Sequence, residues 1–232
     1  MLTSIVGINW GDEGKGRMVD LLAASQDIVV RYQGGNNAGH TVINEKGKFV
    51  LNLLPSAILR EDKVNVMGNG MVVNPVSVIA ELQKLSDQGI TEHNLYISTR
   101  AAMVMPWHSA LDGAYEANLG KALIGTTKKG IGPCYADKYS RIGMRIGDLL
   151  EPEYFRMRLE AALAVKNPEM KMLGLPEMDA DQIFNQYMEI ADKLKDRIVD
   201  TSDLINKHLQ GEGNILFEGA QGMMLCIDHG TY

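Results

Sequence analysis

The stretch "NWGDEGKGRMVDLL", Asn9 to Leu22, reads as a phosphate-binding loop that runs into a helix. Gly11, Gly14 and Gly16 surround Lys15, and Met18, Val19, Leu21 and Leu22 supply an apolar run behind it. A helix N-terminus preceded by glycines exposes unpaired N–H groups and a partial positive charge, so anions bind there readily. The ordinary P-loop is G-x-x-x-x-G-K followed by Ser or Thr, and this stretch departs from it twice. Asn9 stands where the first glycine belongs, and Gly16 stands where the magnesium-binding hydroxyl belongs. Asp12 and Glu13 lie inside the loop instead. Magnesium beside phosphates prefers an oxygen ligand, which Asp12 can supply in place of the missing hydroxyl. The same aspartate can take a proton from a substrate, or it can simply cap the helix.

Outward from the loop, strand and helix signals alternate. "LTSIVGI" precedes it as a short β-branched run, Arg17 to Ala24 reads as helix, and "DIVVRY" from Asp27 is a second strand. "KFVLNLL" from Lys48, "VNVMGNG" from Val64 and "NLYIS" from Asn94 are further strands. "NPVSVIAELQKLSDQG" is a punctuated helix, with Asn74 as cap, Pro75 in the first turn, Ile79, Leu82 and Leu85 on one face, and Gly89 at the end. Such alternation predicts an α/β domain with a largely parallel sheet. "GTTKKGIGPCYADKYSR", Gly125 to Arg141, reads as a glycine-rich loop. From Pro152 the chain turns helical, first in "EPEYFRMRLEAALAVK" and later in "DADQIFNQYMEIADKLKDRIVDTSDLINKHL". In the latter, Ile183, Tyr187, Ile190, Leu194 and Ile198 recur at helical spacing. The methionine-rich "NPEMKMLGLPEMDA" between them is expected to be a loop or cap. "NILFEGAQG" returns to strand. The organisation expected is glycine loops in 1–145, a mainly helical insertion at about 150–210, and a return to the sheet at about 213–232.

The chain has 232 residues, 45% of them hydrophobic, enough for a sizeable core. Its 23 basic and 29 acidic residues give a net charge of −6, and it has no dense basic run. That argues against nucleic acid as a partner and for a small molecule. Cys134 and Cys226 stand far apart and are expected to be reduced thiols. No basic leader precedes an apolar stretch, and no apolar run approaches about 18 residues, so a cytoplasmic protein without a membrane partner is expected.

Two more loops carry chemistry. In "RYQGGNNAGHTV", Arg31 to Val42, Gly34, Gly35 and Gly39 let the backbone approach a ligand, while Asn36, Asn37, His40 and Thr41 offer hydrogen bonds. A histidine in such a loop at a strand's end sits where α/β sheets bind ligands, so His40 is read as functional. His93, His108 and His208 are read as structural, and His229 is open to either reading. In "GTTKKGIGP" the threonine hydroxyls and glycine N–H groups again suit phosphate, with Arg141 a short way on. Several anion-binding loops suggest two phosphorylated ligands.

With these residues in place, "WGDEGKG", "RYQGGNNAGHTV", "GTTKKGIGP", "DKYSRIGMRIGDL" and "FEGAQG…DHGTY" resemble adenylosuccinate synthetase in order and spacing. The likeness runs from about Ile5 to Tyr232. Arg17 stands where that family commonly has lysine. Its chains are nearly twice this long, so the resemblance implies an N-terminal portion. It also implies a P-loop-NTPase-like α/β fold, with a largely parallel central sheet, flanking helices and a helical insertion. The implied reaction condenses IMP with L-aspartate, using GTP and magnesium, in a homodimer with a shared site. Asp12 would accept the N1 proton of IMP and, with the Gly39 carbonyl, hold magnesium, and His40 would be the acid. GTP would meet Gly11, Asp12, Glu13, Gly14, Lys15, Gly16, Arg17, Gly39, His40 and Thr41. IMP would meet Asp12, Glu13, Gly14, Lys15, Asn37, Ala38, Gly39, His40, Thr127 and Gln221, with Arg141 reaching in from the partner. The 232-residue chain alone is expected to bind IMP and to make no product. A nucleotide-switch ATPase or GTPase and an inactive dimerising fragment are the competing readings.

Overall fold

The computed structural model of the protein describes residues 1–44, 47–91, 93–120 and 125–231. In chain order, β1 (Leu2–Gly7), α1 (Lys15–Ala23) and β2 (Ile28–Gly34) are followed by β3 (His40–Asn44) and β4 (Gly47–Leu51). Then come β5 (Val64–Val73), α2 (Pro75–Asp87), β6 (Leu95–Ser98), β7 (Ala102–Met103), α3 (Pro106–Asn118) and α4 (Ile131–Tyr139). The last elements are α5 (Pro152–Met172), α6 (Ala180–Leu194), β8 (Ile198–Val199), α7 (Thr201–Gln210) and β9 (Ile215–Gly222). The main sheet has the spatial order β1-β9-β2-β5-β6-β8, with β7 also on β5, and its pairings are all parallel.

Alternation along the strands sends side chains to both faces, and helices cover both. Val29 and Leu216 meet Val19 and Ala23 of α1, while Ile28, Val30 and Ile215 meet Leu204, Ile205 and Leu209 of α7. The largest core lies beyond β5, where Met67, Met71 and Ile97 pack with Trp107, Phe155 and Tyr187 from α3, α5 and α6. Asn74 caps α2 as its sequence predicts, accepting from the Ser77 N–H at 3.1 Å, and Gly89 past its end has φ +84°.

Four expectations change. The second half of "GTTKKGIGPCYADKYSR" is helix α4, not loop. Gly130 caps it with φ +74°, Pro133 falls in its first turn where no N–H partner is needed, and Cys134 packs on Val72 and Val104. Helix α5 runs through Asn167 and Pro168 to Met172, six residues past the predicted end. The Asn167 side chain there bonds the Met178 N–H and carbonyl, tying the next segment down. Ile198 lies in β8 opposite Ile97, because a sheet partner outweighs the helical spacing. Finally, "KFVLNLL" joins β3 in an antiparallel hairpin outside the main sheet.

The position of β9 matters most for the site. It lies between β1 and β2, so the turns that leave β1, β2 and β9 at their carboxyl ends are neighbours. In parallel α/β sheets that is where ligands bind.

Candidate active site

The first loop is braced by its own glutamate. The Glu13 carboxylate accepts from the Asn9 N–H at 3.0 Å, the Gly11 N–H at 3.3 Å and Lys15 Nζ at 2.6 Å. The Lys15 ammonium, opposed by slight desolvation and helped by those N–H groups, lowers the Glu13 carboxyl to about 2. Glu13 therefore stays ionised and keeps the largely buried Lys15 side chain in place. Gly14 caps α1 with φ +84° and no side-chain bond, so Asp12 is not the helix cap. Asp12 has φ +58°, a left-handed backbone that costs a residue with a Cβ roughly 1 kcal/mol. Its exposed carboxylate makes no hydrogen bond or ion pair among the described residues.

His40 opens β3 and is buried. Its Nδ1 is 2.7 Å from Glu218 Oε1 and 3.3 Å from Ser56 Oγ. Glu218, on β9, is fully buried and also accepts from the Ser56 N–H at 2.9 Å and its hydroxyl at 2.6 Å. Burial pushes the Glu218 carboxyl up, but the bond and charge of His40, the nearby buried Arg31 and the Ser56 hydroxyl outweigh it, and the net direction is down. Arg31 is itself fixed by the Asn52 carbonyl at 2.7 Å and the Gly35 carbonyl at 3.0 Å. An ionised carboxylate only accepts, so Nδ1 of His40 carries the hydrogen and Nε2 is left for the cavity. A Cβ on Gly16 would lie 2.8 Å from the His40 Cβ and 3.2 Å from Ser56 Oγ. The hydroxyl-bearing residue of an ordinary P-loop has no room here, because His40 and Ser56 fill its place.

Between the loops is a cavity of about 370 Å3. Gly11, Asp12, Gly14, Lys15, Gly16 and Arg17 line one side. Asn37, Ala38, Gly39, His40 and Thr41 line the other, and Gln221 at the end of β9 closes the rear. Trp10, Ala220 and Leu225 add apolar surface that the sequence reading missed. Glu13 braces the loop without lining the cavity, Thr127 is exposed on the third loop, and Arg141 lies elsewhere. Arg141 lines a second cavity of about 590 Å3 with Arg100, Lys138, Arg145 and Arg158, and the two cavities share no lining residue. Glu218, Ser56 and Arg31 were also missed as site residues. A charged residue amid the apolar "NILFEGA" is the one signal that could have flagged Glu218.

Among the described residues, no group of three or more His, Cys, Asp or Glu side chains forms a metal cage. The free carboxylate of Asp12 beside an anion-binding loop does fit magnesium, which takes one or two carboxylates and completes its shell with phosphate oxygens and water. His108 is structural as expected, buried with Nε2 2.9 Å from Asp137. Both cysteines are free thiols, and no helix among the described residues is long and apolar enough to cross a membrane. Tyr232, which ends the "DHGTY" motif, lies outside the described residues.

Fold and site together define a P-loop-like α/β protein whose first two glycine loops converge with the end of β9 on one cavity. The chain belongs to the adenylosuccinate synthetase family, whose model, described as "Adenylosuccinate synthetase", matches residues 4–232. The adenylosuccinate synthetase of Heliobacterium modesticaldum is 52% identical over 229 residues, covering 98% of this chain and 54% of its own. That of Clostridium acetobutylicum is 49% identical over 231 residues, with the same coverage. The chain thus spans about half the length of the curated relatives it matches. Among solved structures, the fully ligated adenylosuccinate synthetase from Plasmodium falciparum superposes with a TM-score of 0.88 at 38% identity, over 99% of this chain and 54% of that one. The succinoaminodeoxyadenylate synthetase of cyanophage S-2L, at 22% identity and a TM-score of 0.63 over 100% of this chain and 54% of that one, shares the fold.

Proposed function

We propose that these residues form the IMP-activating part of an adenylosuccinate synthetase, which uses GTP and magnesium to condense IMP with L-aspartate in purine synthesis. What carries the reading is the convergence of Asp12, Lys15, His40 and Gln221, from three separate stretches of chain, on one cavity. Asn37, Thr127 and Gln221 hold IMP, and Arg141 reaches the site of a partner subunit in a homodimer. That assignment agrees with Arg141 lining a cavity separate from its own chain's loops. Thr41 and the loop N–H groups meet the GTP phosphates. The purine oxygen attacks the γ-phosphorus as the N1 proton passes to Asp12 and GDP departs, giving 6-phosphoryl-IMP. The amine of aspartate then displaces phosphate from C6. A free aspartate has a pKa of about 3.9, a poor base for N1, so proton removal must be coupled to attack by the oxygen. Lys15, buried beside its glutamate, opposes the charge that develops on the moving phosphoryl. His40 is held at Nδ1 by Glu218 and donates a hydrogen bond or proton from Nε2. Magnesium, held by the Asp12 carboxylate and the Gly39 carbonyl, would neutralise phosphate charge. Substrates of this kind belong to the cytoplasm.

Calorimetry with the mass-verified 232-residue chain tests the reading. IMP binds, Asn37→Ala with Gln221→Ala abolishes binding, and no adenylosuccinate forms with GTP, magnesium and aspartate. Binding of GTP without IMP would favour a nucleotide switch instead. In a chain extended to the length of its relatives, Asp12→Asn keeps IMP binding and loses at least about a hundredfold in turnover. Near wild-type turnover in that variant would remove Asp12 from its role.

A further inference from the structure

The third loop looks from its sequence like a phosphate cradle, yet the N–H groups of Gly125, Thr126, Lys128 and Gly130 are already committed. Asp112 and Glu116 lie one turn apart on α3, and both are buried. Glu116 Oε1 accepts from the Gly125 N–H at 2.6 Å and the Thr126 N–H at 3.3 Å. Asp112 accepts from the Thr126 hydroxyl at 2.8 Å and, with its other oxygen, from the Gly130 N–H at 2.9 Å. The two carboxylates therefore pin both ends of the loop to one helix. The pin at Gly130 is also steric, because a Cβ there would lie 2.7 Å from the His108 backbone and Cβ. Between the pins, the Lys128 N–H bonds the Thr126 hydroxyl at 3.2 Å, and Lys128 takes a left-handed φ of +56°. The tip between the pins, Thr127, Lys128 and Lys129, is exposed.

We propose that Asp112 and Glu116 are positioning residues that latch the Gly125–Gly130 loop so that its tip meets the phosphate of a bound nucleoside monophosphate. The proposal takes from the reading above that Thr127 contacts IMP. It adds that the glycine N–H groups of this loop serve the protein's own carboxylates and not the ligand. Ionised carboxylates suit the task because they accept from several donors at once, and bonds to a charged acceptor are the stronger kind. A loop with glycines at both ends would otherwise be ordered at the ligand's expense, and ordering it beforehand removes that cost from binding. An amide in place of either acid would turn one acceptor into a donor facing the loop.

Trypsin provides the test, since Lys128 and Lys129 are cleavage sites on the exposed tip. The 232-residue chain, Asp112→Asn and Glu116→Gln are digested under native conditions with and without IMP, and Thr127→Ala serves as the contact control. Each acid variant should be nicked at the tip about tenfold faster, the factor expected for losing one charge-assisted bond. Cleavage elsewhere and the melting temperature should stay near wild type. The IMP concentration for half-protection should rise about tenfold in both. Thr127→Ala should lose protection without faster nicking. Unchanged nicking at the tip in both acid variants overturns the latch, as does faster cleavage spread evenly over the chain. If the acid variants respond but IMP protects nothing in the unsubstituted chain, the latch stands and the IMP assignment of the preceding section falls.

Discussion

Arg141, the residue proposed to serve a partner's site, carries backbone strain. It follows α4, where the Ile142 and Gly143 N–H groups return to the Asp137 carbonyl, and it takes φ +64° at a position that helices usually give to glycine. Its side chain is exposed, so no packing offsets the strain. A left-handed backbone costs roughly 1–2 kcal/mol, and glycine's freedom in the unfolded chain returns part of that. Arg141→Gly should therefore raise stability by about 0.5–1 kcal/mol, read as a higher urea midpoint, while losing any role of the guanidinium. A lower midpoint would mean that the arginine earns its place structurally. Glu218 is the opposite case, a buried charge that its partners keep ionised. Its folded pKa lies below the usual glutamate value, so the native state releases that proton more readily than the unfolded chain. Its contribution to stability is present above the unfolded pKa and fades as acid titrates the folded group. Glu218→Gln should lower stability at neutral pH by about 3 kcal/mol, because the buried His40 and Ser56 donors lose their charged acceptor. It should also flatten the fall in unfolding free energy as the pH drops below the ordinary glutamate range. An unchanged slope would place the compensating charge elsewhere.

Among the elements, β9 does the most to assemble the site, and its last glycine explains how. A Cβ on Gly222 would lie 2.0 Å from the Asn9 carbonyl and 2.4 Å from the Gly11 nitrogen, both backbone atoms of the first loop. Strand and loop touch with no space between them, which fixes Gln221 at the rear of the cavity. Gly222→Ala must therefore push the loop away, and IMP binding should fall below calorimetric detection while the melting temperature drops only modestly. Gly132, in the first turn of α4, has open space around it, and Gly132→Ala should instead add about 0.5 kcal/mol. If both variants bound IMP normally, the contact between β9 and the loop would not shape the cavity. The same element marks the limit of what the sequence discloses. "NILFEGAQG" is legible as a strand because β-branched and apolar residues cluster before a glycine turn. Nothing local says that it lies between β1 and β2, and the bond from Glu218 to His40 spans 178 positions. The glycine loops were legible because backbone chemistry writes itself into composition. Helix α4 was hidden by the same glycines, which suit its cap and first turn as well as they suit a loop.

Across the whole molecule, the sheet ends unequally. On one side β8 is only two residues long, a short edge that offers little to another chain. On the other, β1 pairs among the described residues only with β9, leaving its other edge, six residues long, without a partner strand. Leu2 and Val6 of that strand are exposed, as are Ile8 and Trp10 just beyond it, with Ile8 at 74%. Helix α1 beside it exposes Met18 and Leu21, the latter at 65%. An open strand edge with apolar neighbours is a template for pairing with a second chain. Of the main sheet's two outer strands among the described residues β1 is the longer, so two copies would join β1 to β1 about a two-fold axis and close the assembly. The 232-residue chain should therefore self-associate through β1, apart from any dimer made through the Arg141 cavity. Light scattering behind a sizing column should give a mass above 25.5 kDa that rises with concentration. Val6→Lys with Leu21→Lys should return it towards the monomer, since charges on an edge are how natural sheets prevent pairing. Arg141→Leu should leave this mode intact, because Arg141 lines the basic cavity, to which β1 contributes no residue. If the lysine pair leaves the mass unchanged and Arg141→Leu lowers it, the open edge is not the contact, and association runs through the basic cavity.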